Sequence, residues 1–460
     1  MAIVYDSYRQ ELADSSLPLL AAGQPGRTVA WRNGAPISAA QFLAHVQQVA
    51  ATLPSGSAAV NLCEDRYAFL VAFCAIVLRG QANLLPSSRA PQAVTDVMAG
   101  YPGSYAVGEQ ALEPAPPSYH PMPTLVDLAH APTSVDGFVV PLIPADQVVA
   151  LGYTSGSTGV PKSYPKTWRS FHASTAGNVR VLHALVGKHF DVVATVPPQH
   201  MYGMEMSVLL PLLGDVAVHA GRPFFPADVA AALAQVPGPR VLIITPIHLR
   251  ALVESGVTLP PIAAMVSATA PMPAELAREA ETRFGAPLLE VFGSTETCVI
   301  ATRRAADDEP WTLYDGIHLH PQPDGTAVEA PQLDGLLTLA DIVVLQDDGR
   351  RFRLCGRHAD LLEIAGKRAS LGDLTRRLLA IPGVLDGVML QLDGDVIGVK
   401  RVAALVVAPD LDEQTILNRL RESVEPLFLP RPLRLVSALP RNETGKLPRA
   451  ELMAMLEKAG

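Results

Sequence analysis

Between Tyr153 and Lys162 the chain reads Tyr-Thr-Ser-Gly-Ser-Thr-Gly-Val-Pro-Lys, a set of residues equipped to hold a polyphosphate. Two glycines and four Ser/Thr hydroxyls fall within the eight positions from Tyr153 to Val160. Glycine lets backbone N–H groups approach anionic oxygens closely, hydroxyls add donors, and Lys162 adds charge. No Gly-Lys-Ser/Thr follows at the spacing of a Walker A loop, so this is not that phosphate site. The competing reading is a solvated linker. Ser/Gly linkers seldom carry Tyr, Val and a Pro-Lys pair straight after an apolar strand.

Such a loop needs a rigid strand behind it, and the apolar run Val148 to Leu151 supplies one. Upstream, Thr28 to Arg32, the Asn33-Gly34 turn and Ala35 to Ile37 predict a hairpin. Ser38 predicts the N-cap of a helix reaching about Ala51. Ala58 to Leu62, Tyr67 to Leu78 and Ala82 to Leu85 predict strand, helix and strand, with Gly80 as the helix stop. That is βαβ grammar and implies a parallel, buried sheet. Pro-rich stretches at Glu113 to Pro123 and Ala131 to Pro144 predict surface connections. Downstream, strands are predicted over Phe190 to Val196, Val241 to Thr245, Ala263 to Ser267 and Pro287 to Phe292, and helices over Met206 to Leu213 and Ala274 to Phe284. From Leu336 to Leu354 the pattern becomes strand and turn, with Asp347-Asp348-Gly349 as a hairpin signal. Past Gly356 a shorter unit follows. It has predicted helices at Leu371 to Ala380 and Glu413 to Val424, a Pro382-Gly383 stop, and strands at Gly387 to Gln391 and Ala403 to Val407.

With 460 residues the chain exceeds what one ordinary core holds, so two or more domains are expected. A composition of 49% hydrophobic and 18% charged residues is that of a folded chain. Net charge is −9, made of about −10 before Gly356 and about +1 from Gly356 on. This balance argues against a nucleic-acid partner, and the less acidic C-terminal part leaves room for an acidic carrier protein. Residues Met1 to Gln10 lack the basic-then-apolar pattern of a secretory leader, and the longest apolar run, Ala68 to Leu78, is too short to span a bilayer. A cytosolic location is expected. Cys63, Cys74, Cys298 and Cys355 show no CxxC or Cys/His ligand spacing, which argues against structural zinc and a disulfide framework.

Further motifs follow the loop in a fixed order. They are Pro197-Pro198-Gln199-His200-Met201-Tyr202-Gly203, Ser267-Ala268-Thr269-Ala270-Pro271, Val291-Phe292-Gly293-Ser294-Thr295-Glu296-Thr297, Asp341, Gly356-Arg357-His358-Ala359-Asp360 with Gly366, and Pro440 to Arg449 around Lys446. Taken together they resemble the acyl- and aryl-adenylating superfamily of AMP-forming acyl-CoA synthetases, peptide-synthetase adenylation domains and luciferases. The resemblance runs from about Pro25 to the C-terminus. It implies an α/β fold: a large domain over 1–356, of mixed, mainly parallel sheets layered with helices, and a small mobile α+β domain over 357–460.

The resemblance also implies roles. Thr154, Ser155, Gly156, Ser157, Thr158, Gly159 and Lys162 would fold over the β- and γ-phosphates of ATP. His200 would sit between acyl group and nucleotide, and Thr269, Ala270 and Pro271 would border adenine. Phe292 and Gly293 would pack on the base, Thr295 would donate to a phosphate, and Glu296, with Thr158, would hold Mg²⁺. Asp341 and Arg357 would bind ribose, although the family's Thr-Gly before the Asp is Leu-Ala here. Ala359 stands where the family has its pivot acid, beside Asp360, and Gly366 would let a pantetheine arm pass. Lys446 would be the adenylation lysine. The acyl pocket would be lined by His200, Met201, Tyr202, Met204, Ala268, Val291, Gly293 and Cys298, with Tyr202 placed to bond a ring hydroxyl.

The reaction so implied has two halves. A carboxylate attacks the α-phosphorus of ATP, releasing pyrophosphate and leaving an acyl-AMP; a thiol then attacks the acyl carbon and AMP departs. No Asp-Ser carrier module follows Lys446, so the thiol is expected on CoA or a separate acyl carrier protein. The texture of the chain resembles stand-alone ligases of aryl-polyene and xanthomonadin-type pigment clusters, which load a 4-hydroxybenzoate-type acid onto a carrier protein. A medium-chain fatty acyl ligase and a catalytically weakened nucleotide-binding regulator stay open beside that reading.

Overall fold

The computed structural model describes all residues except 1–14, 22–23, 126–137, 155–161, 308, 324, 347–348, 358–360, 365–366, 393–400, 442–446 and 459–460. It is an α/β structure in two compact units. The first comprises 1–268, 278–304 and 331–334, and the second 269–277, 305–330 and 335–460.

Two large sheets, beside the short pair Ser16–Pro18 and Leu142–Pro144, build the first unit. One runs in the order Lys162–Thr167, Val148–Thr154, Ala82–Leu85, Ala58–Asn61, Tyr105–Gly108, Tyr119–Pro121. Only its first pair is antiparallel. The other runs Cys298–Arg304, Leu288–Ser294, Ala264–Ser267, Arg240–Ile244, Asp191–Ala194, Ala217–His219, Thr28–Arg32, Ala35–Ser38, parallel except at its two end pairs. Strands parallel to both neighbours must be covered on both faces, and they read as unbroken apolar runs. Val192, Val193, Leu242, Ile243, Met265 and Val266 are accordingly all fully buried.

Local chemistry sets many element ends. Asn33 and Gly34 take φ of 51° and 76°, as the tight hairpin turn requires. Ser38 caps the helix Ala39–Thr52 through a reciprocal capping box with Gln41. Gly80, at φ 72°, ends the apolar helix Arg66–Leu78. Two features go beyond the sequence reading. The strand leading to the phosphate loop runs on to Thr154, and Lys162–Thr167 returns antiparallel beside it. The helix after His200 contains a π segment, Glu205–Leu209, between two α segments. The Pro-rich connections also carry short strands, Tyr119–Pro121 and Leu142–Pro144.

The second unit holds an antiparallel sheet of His318–Gln322, Gly325–Glu329 and Leu337–Leu339, and the hairpin Asp341–Gln346 with Arg351–Arg357. It also holds Asp386–Leu392, Arg401–Val407 and Leu433–Leu435. The helices Leu371–Leu379 and Glu413–Arg421 pack there through Leu374, Leu378, Ile416 and Leu420 against Met389, Val402 and Ala404.

Candidate active site

Within the first unit the carboxyl ends of both sheets converge on a cleft. Open α/β sheets place ligands at such strand ends. Leu85 to Ser87 leave one strand end, Gly152 and Tyr153 the next, Gln199 to Met201 follow Asp191–Ala194, and Thr295 follows Leu288–Ser294. Three predicted residues, His200, Met201 and Thr295, therefore meet beside the root of the phosphate loop. Gly152 is required there. A Cβ on it would lie 2.6 Å from Thr295 Cγ2 and 3.2 Å from Met201 Cε.

The turn carrying Thr295 and Glu296 is held from several directions. Ser294 and Thr297 exchange backbone-to-hydroxyl bonds of 3.2 and 3.1 Å across it. Gly293 is forced to be glycine, because a Cβ would meet the Cys298 carbonyl at 2.2 Å. Cys298 itself adopts a φ of 61°. Three residues not singled out in the sequence complete the support. Buried Lys166 donates its ammonium to the Glu296 carbonyl, and Gln332 Nε2 donates to the Thr297 carbonyl at 3.0 Å. The Val299 N–H donates to the Glu205 carboxylate at 3.0 Å. Glu205 is 1% exposed and also accepts from Ser174 Oγ and from Asn178 Nδ2 at 3.2 Å. Burial raises its carboxyl above the ordinary value, opposed by those donors and by the charge of Lys166. The signal for Glu205 was present: a lone acid in the apolar run Met204 to Leu213. Nothing in the sequence marked Lys166 or Gln332.

The His200 segment is shaped by close backbone approach. A Cβ on Gly203 would lie 1.9 Å from the Pro197 carbonyl oxygen, so the chain folds back tightly before the helix. Arg66, fully buried, pins the same region by donating to the carbonyls of Ala194 and Val196 at 2.8 Å and to Ser207 Oγ. His200 is half-buried and Met201 lines the cleft, whereas Met204, Val291 and Cys298 are buried in the core. Burial pushes the Cys298 thiol up to about 12, well away from reactive thiolate character. The hydroxyl of Tyr202 is committed to protein. It donates to the Val266 carbonyl at 2.7 Å and lies 3.2 Å from that of Ile244. That proton is not available to a ring hydroxyl, a correction to the expected role of Tyr202.

The Ser267 to Pro271 segment leaves the end of the strand Ala264–Ser267. The Ser267 and Thr269 hydroxyls are buried without a partner among the described residues, and Thr269 takes a φ of 82°. A β-branched residue in that region is strained, and orphaned buried hydroxyls call for a polar guest; both fit a bound nucleotide. In the second unit, Asp341 and Arg357, expected on ribose, are direct cross-strand partners. The described residues on either side of 442–446 are anchored. Arg441 pairs with both oxygens of Asp386, at 2.9 and 2.7 Å, and Arg449 donates to the Gln391 carbonyl at 2.9 Å. Ser155, Gly156, Ser157, Thr158, Gly159, Ala359, Asp360, Gly366 and Lys446 lie outside the described residues. Glu296 is half-exposed on its braced turn, and its oxygens suit a hard cation that shares ligands with phosphates.

Residues 20–323 match the family model of AMP-binding enzymes. The chain belongs to the AMP-binding enzyme family. ATP-dependent adenylation of a carboxylic acid and transfer to a thiol is the chemistry of that family. Its relatives include the 4-coumarate–CoA ligase of Halorhodospira halophila, 31% identical over 310 residues that cover 64% of this chain and 73% of that one. Enterobactin synthase component E of Escherichia coli K12 is 24% identical over 359 residues, covering 68% and 66%. The fold matches O-succinylbenzoate coenzyme A synthetase from Bacillus subtilis, solved with ATP and magnesium ion. The TM-score is 0.79 at 19% identity, over 95% of this chain and 100% of that one. The α/β architecture with large mixed sheets is thus that of the two-domain adenylating enzymes. Among the described residues no helix is long and apolar enough to cross a membrane.

Proposed function

We propose that this AMP-binding enzyme activates a small aromatic acid of the hydroxybenzoate type as its acyl-AMP and passes the acyl group to the thiol of an acyl carrier protein or CoA. The observation that carries the reading is the meeting of Thr295, His200 and Gly152–Tyr153 in one cleft. The phosphate loop, the acyl-side histidine and the adenylate turn, far apart in sequence, need to converge for a carboxylate to reach the α-phosphorus. In this reading Thr295 donates to a phosphate oxygen as charge builds, Lys162 steadies the loop, and Lys446 stabilises the α-phosphate. Asp341 and Arg357 hold ribose, and Phe292 and Thr269 to Pro271 border the base. Ala268 and Gly293 close the acyl side. Glu296, with Thr158, would hold Mg²⁺, which neutralises phosphate charge.

Support for an aromatic acid comes from the 4-coumarate ligase as a relative. With the Tyr202 hydroxyl committed, selection of a hydroxylated ring falls to other groups near Met201 and His200. The medium-chain fatty acid alternative draws on the apolar side chains of Leu85 and Met201 alone. A lid at 357–460 that turns about Ala359–Asp360, exchanging Lys446 for Gly366 between half-reactions, belongs to the same proposal, as does a cytosolic location. Mass spectrometry of reactions holding ATP, 4-hydroxybenzoate and either CoA or a carrier protein tests acid and acceptor together. Aliphatic acids outrunning benzoates by about tenfold in pyrophosphate release would end the aryl reading. A Lys446→Ala protein with undiminished adenylation would end the assignment of that lysine.

A further inference from the structure

The residues beneath the Thr295–Glu296 turn form a charged assembly that folding alone does not require. Lys166 is 3% exposed, yet its ammonium is directed to the carbonyl of Glu296. Glu205, 1% exposed, grips the N–H of Val299 at the other end of the same turn. The Lys166 charge acts on Glu205 and on the intervening Cys298 thiol, so the two charges share one buried environment. Burying such charges is expensive, and a well-packed apolar pair of similar size is often as stable or more so. What the apolar pair would lack is a donor for the Glu296 carbonyl and an acceptor for the Val299 N–H. Lys166 also lies in the strand Lys162–Thr167, which returns directly from the phosphate loop. One side chain therefore ties the hairpin of that loop to the backbone of the residue assigned to Mg²⁺.

We propose that Lys166 and Glu205 are positioning residues, a buried brace that fixes the Thr295–Glu296 turn relative to the phosphate-loop hairpin. Neither touches substrate; both act through the backbone of the turn. The proposal rests on the reading of Thr295 and Glu296 as the ATP–Mg²⁺ side of the site. Outer partners that orient metal-binding groups change metal affinity or activity by about 10- to 100-fold when lost.

The test is ATP–pyrophosphate exchange by the full chain, with Mg²⁺–ATP and acid varied separately. Lys166→Met is expected to raise the KM for Mg²⁺–ATP and lower kcat, together by about tenfold or more, with the KM for the acid little changed. Lys166→Arg, which keeps a buried donor, recovers most of that loss. Glu205→Gln places an NH₂ group among donors and reproduces the defect more weakly. The double variant Lys166→Met/Glu205→Leu removes both charges but leaves the Glu296 carbonyl and the Val299 N–H without partners, so the KM for Mg²⁺–ATP stays high. Recovery of the KM for Mg²⁺–ATP in that double variant would overturn the brace. Exchange that is lost in Glu296→Gln but unchanged in Lys166→Met overturns the brace alone. Exchange that survives Glu296→Gln overturns the reading of the turn and the brace with it.

Discussion

Gly152→Ala isolates geometry from chemistry at the cleft. The added methyl carbon would stand 2.6 Å from Thr295 Cγ2, about 0.8 Å inside the 3.4 Å where ordinary contact begins. Thr295 must yield in one of two ways. A backbone shift moves the whole turn, against the ties from Lys166, Gln332 and Glu205. A change of rotamer about the Cα–Cβ bond swings the hydroxyl away together with the methyl, since both leave the same carbon. Either way the donor proposed for phosphate is displaced by a sizeable fraction of an ångström. A misplacement near 1 Å costs on the order of 100-fold in rate, about 2.7 kcal/mol on the barrier. Overpacking would cost about 1–3 kcal/mol of stability. Gly108→Ala is the matched control. Its Cβ would meet Leu62 Cβ at 3.0 Å in a strand outside the cleft lining, so stability should fall with kcat per folded molecule unchanged. Exchange kinetics and urea denaturation on both variants decide the matter. A Gly152→Ala enzyme with wild-type kcat would show that Thr295 is not a rate-setting donor.

Other outcomes follow from single contacts. Tyr202→Phe should cost about 1 kcal/mol by freeing the buried Val266 carbonyl, while the preference for hydroxylated over plain benzoate persists; loss of that preference would return the hydroxyl to substrate recognition. Arg66→Met leaves the Ala194 and Val196 carbonyls and Ser207 without their donor, a loss of about 1–3 kcal/mol for each buried group left unpaired. An unchanged denaturation midpoint would refute it. His172 and His248 are both held below the ordinary imidazole value by burial, with Arg222 adding to the effect on His248. The unfolded chain then binds protons that the native state refuses, so stability is full above about pH 6.5 and declines as pH falls below it. The urea midpoint should drop between about pH 7 and 5.5, less so in His172→Gln/His248→Gln; equal slopes would exclude these groups as the source.

Much of the frame was legible because it is local. Ser38 with Gln41, Asn33-Gly34, Gly80 and the helix Ala274–Phe284 all express short-range rules: caps, positive φ and hydrophobic period. The motif residues were legible as types in order, and Asp341 and Arg357, sixteen positions apart in sequence, stand opposite each other across one hairpin. The return strand Lys162–Thr167 escaped because Lys-Ser-Tyr-Pro-Lys-Thr has little apolar character, and its pairing with Val148–Thr154 comes from backbone bonds. Tyr202 was misread in one respect because a sequence gives a hydroxyl no direction.

Residue types and their order, then, were enough to place the chain in the AMP-binding enzyme family. Tertiary structure alone decided which buried groups support the Thr295–Glu296 turn. Lys166 meets the Glu296 carbonyl across 130 positions and Glu205 meets the Val299 N–H across 94. Such pairings are set by the long-range packing of strands and helices, and no local spacing encodes them.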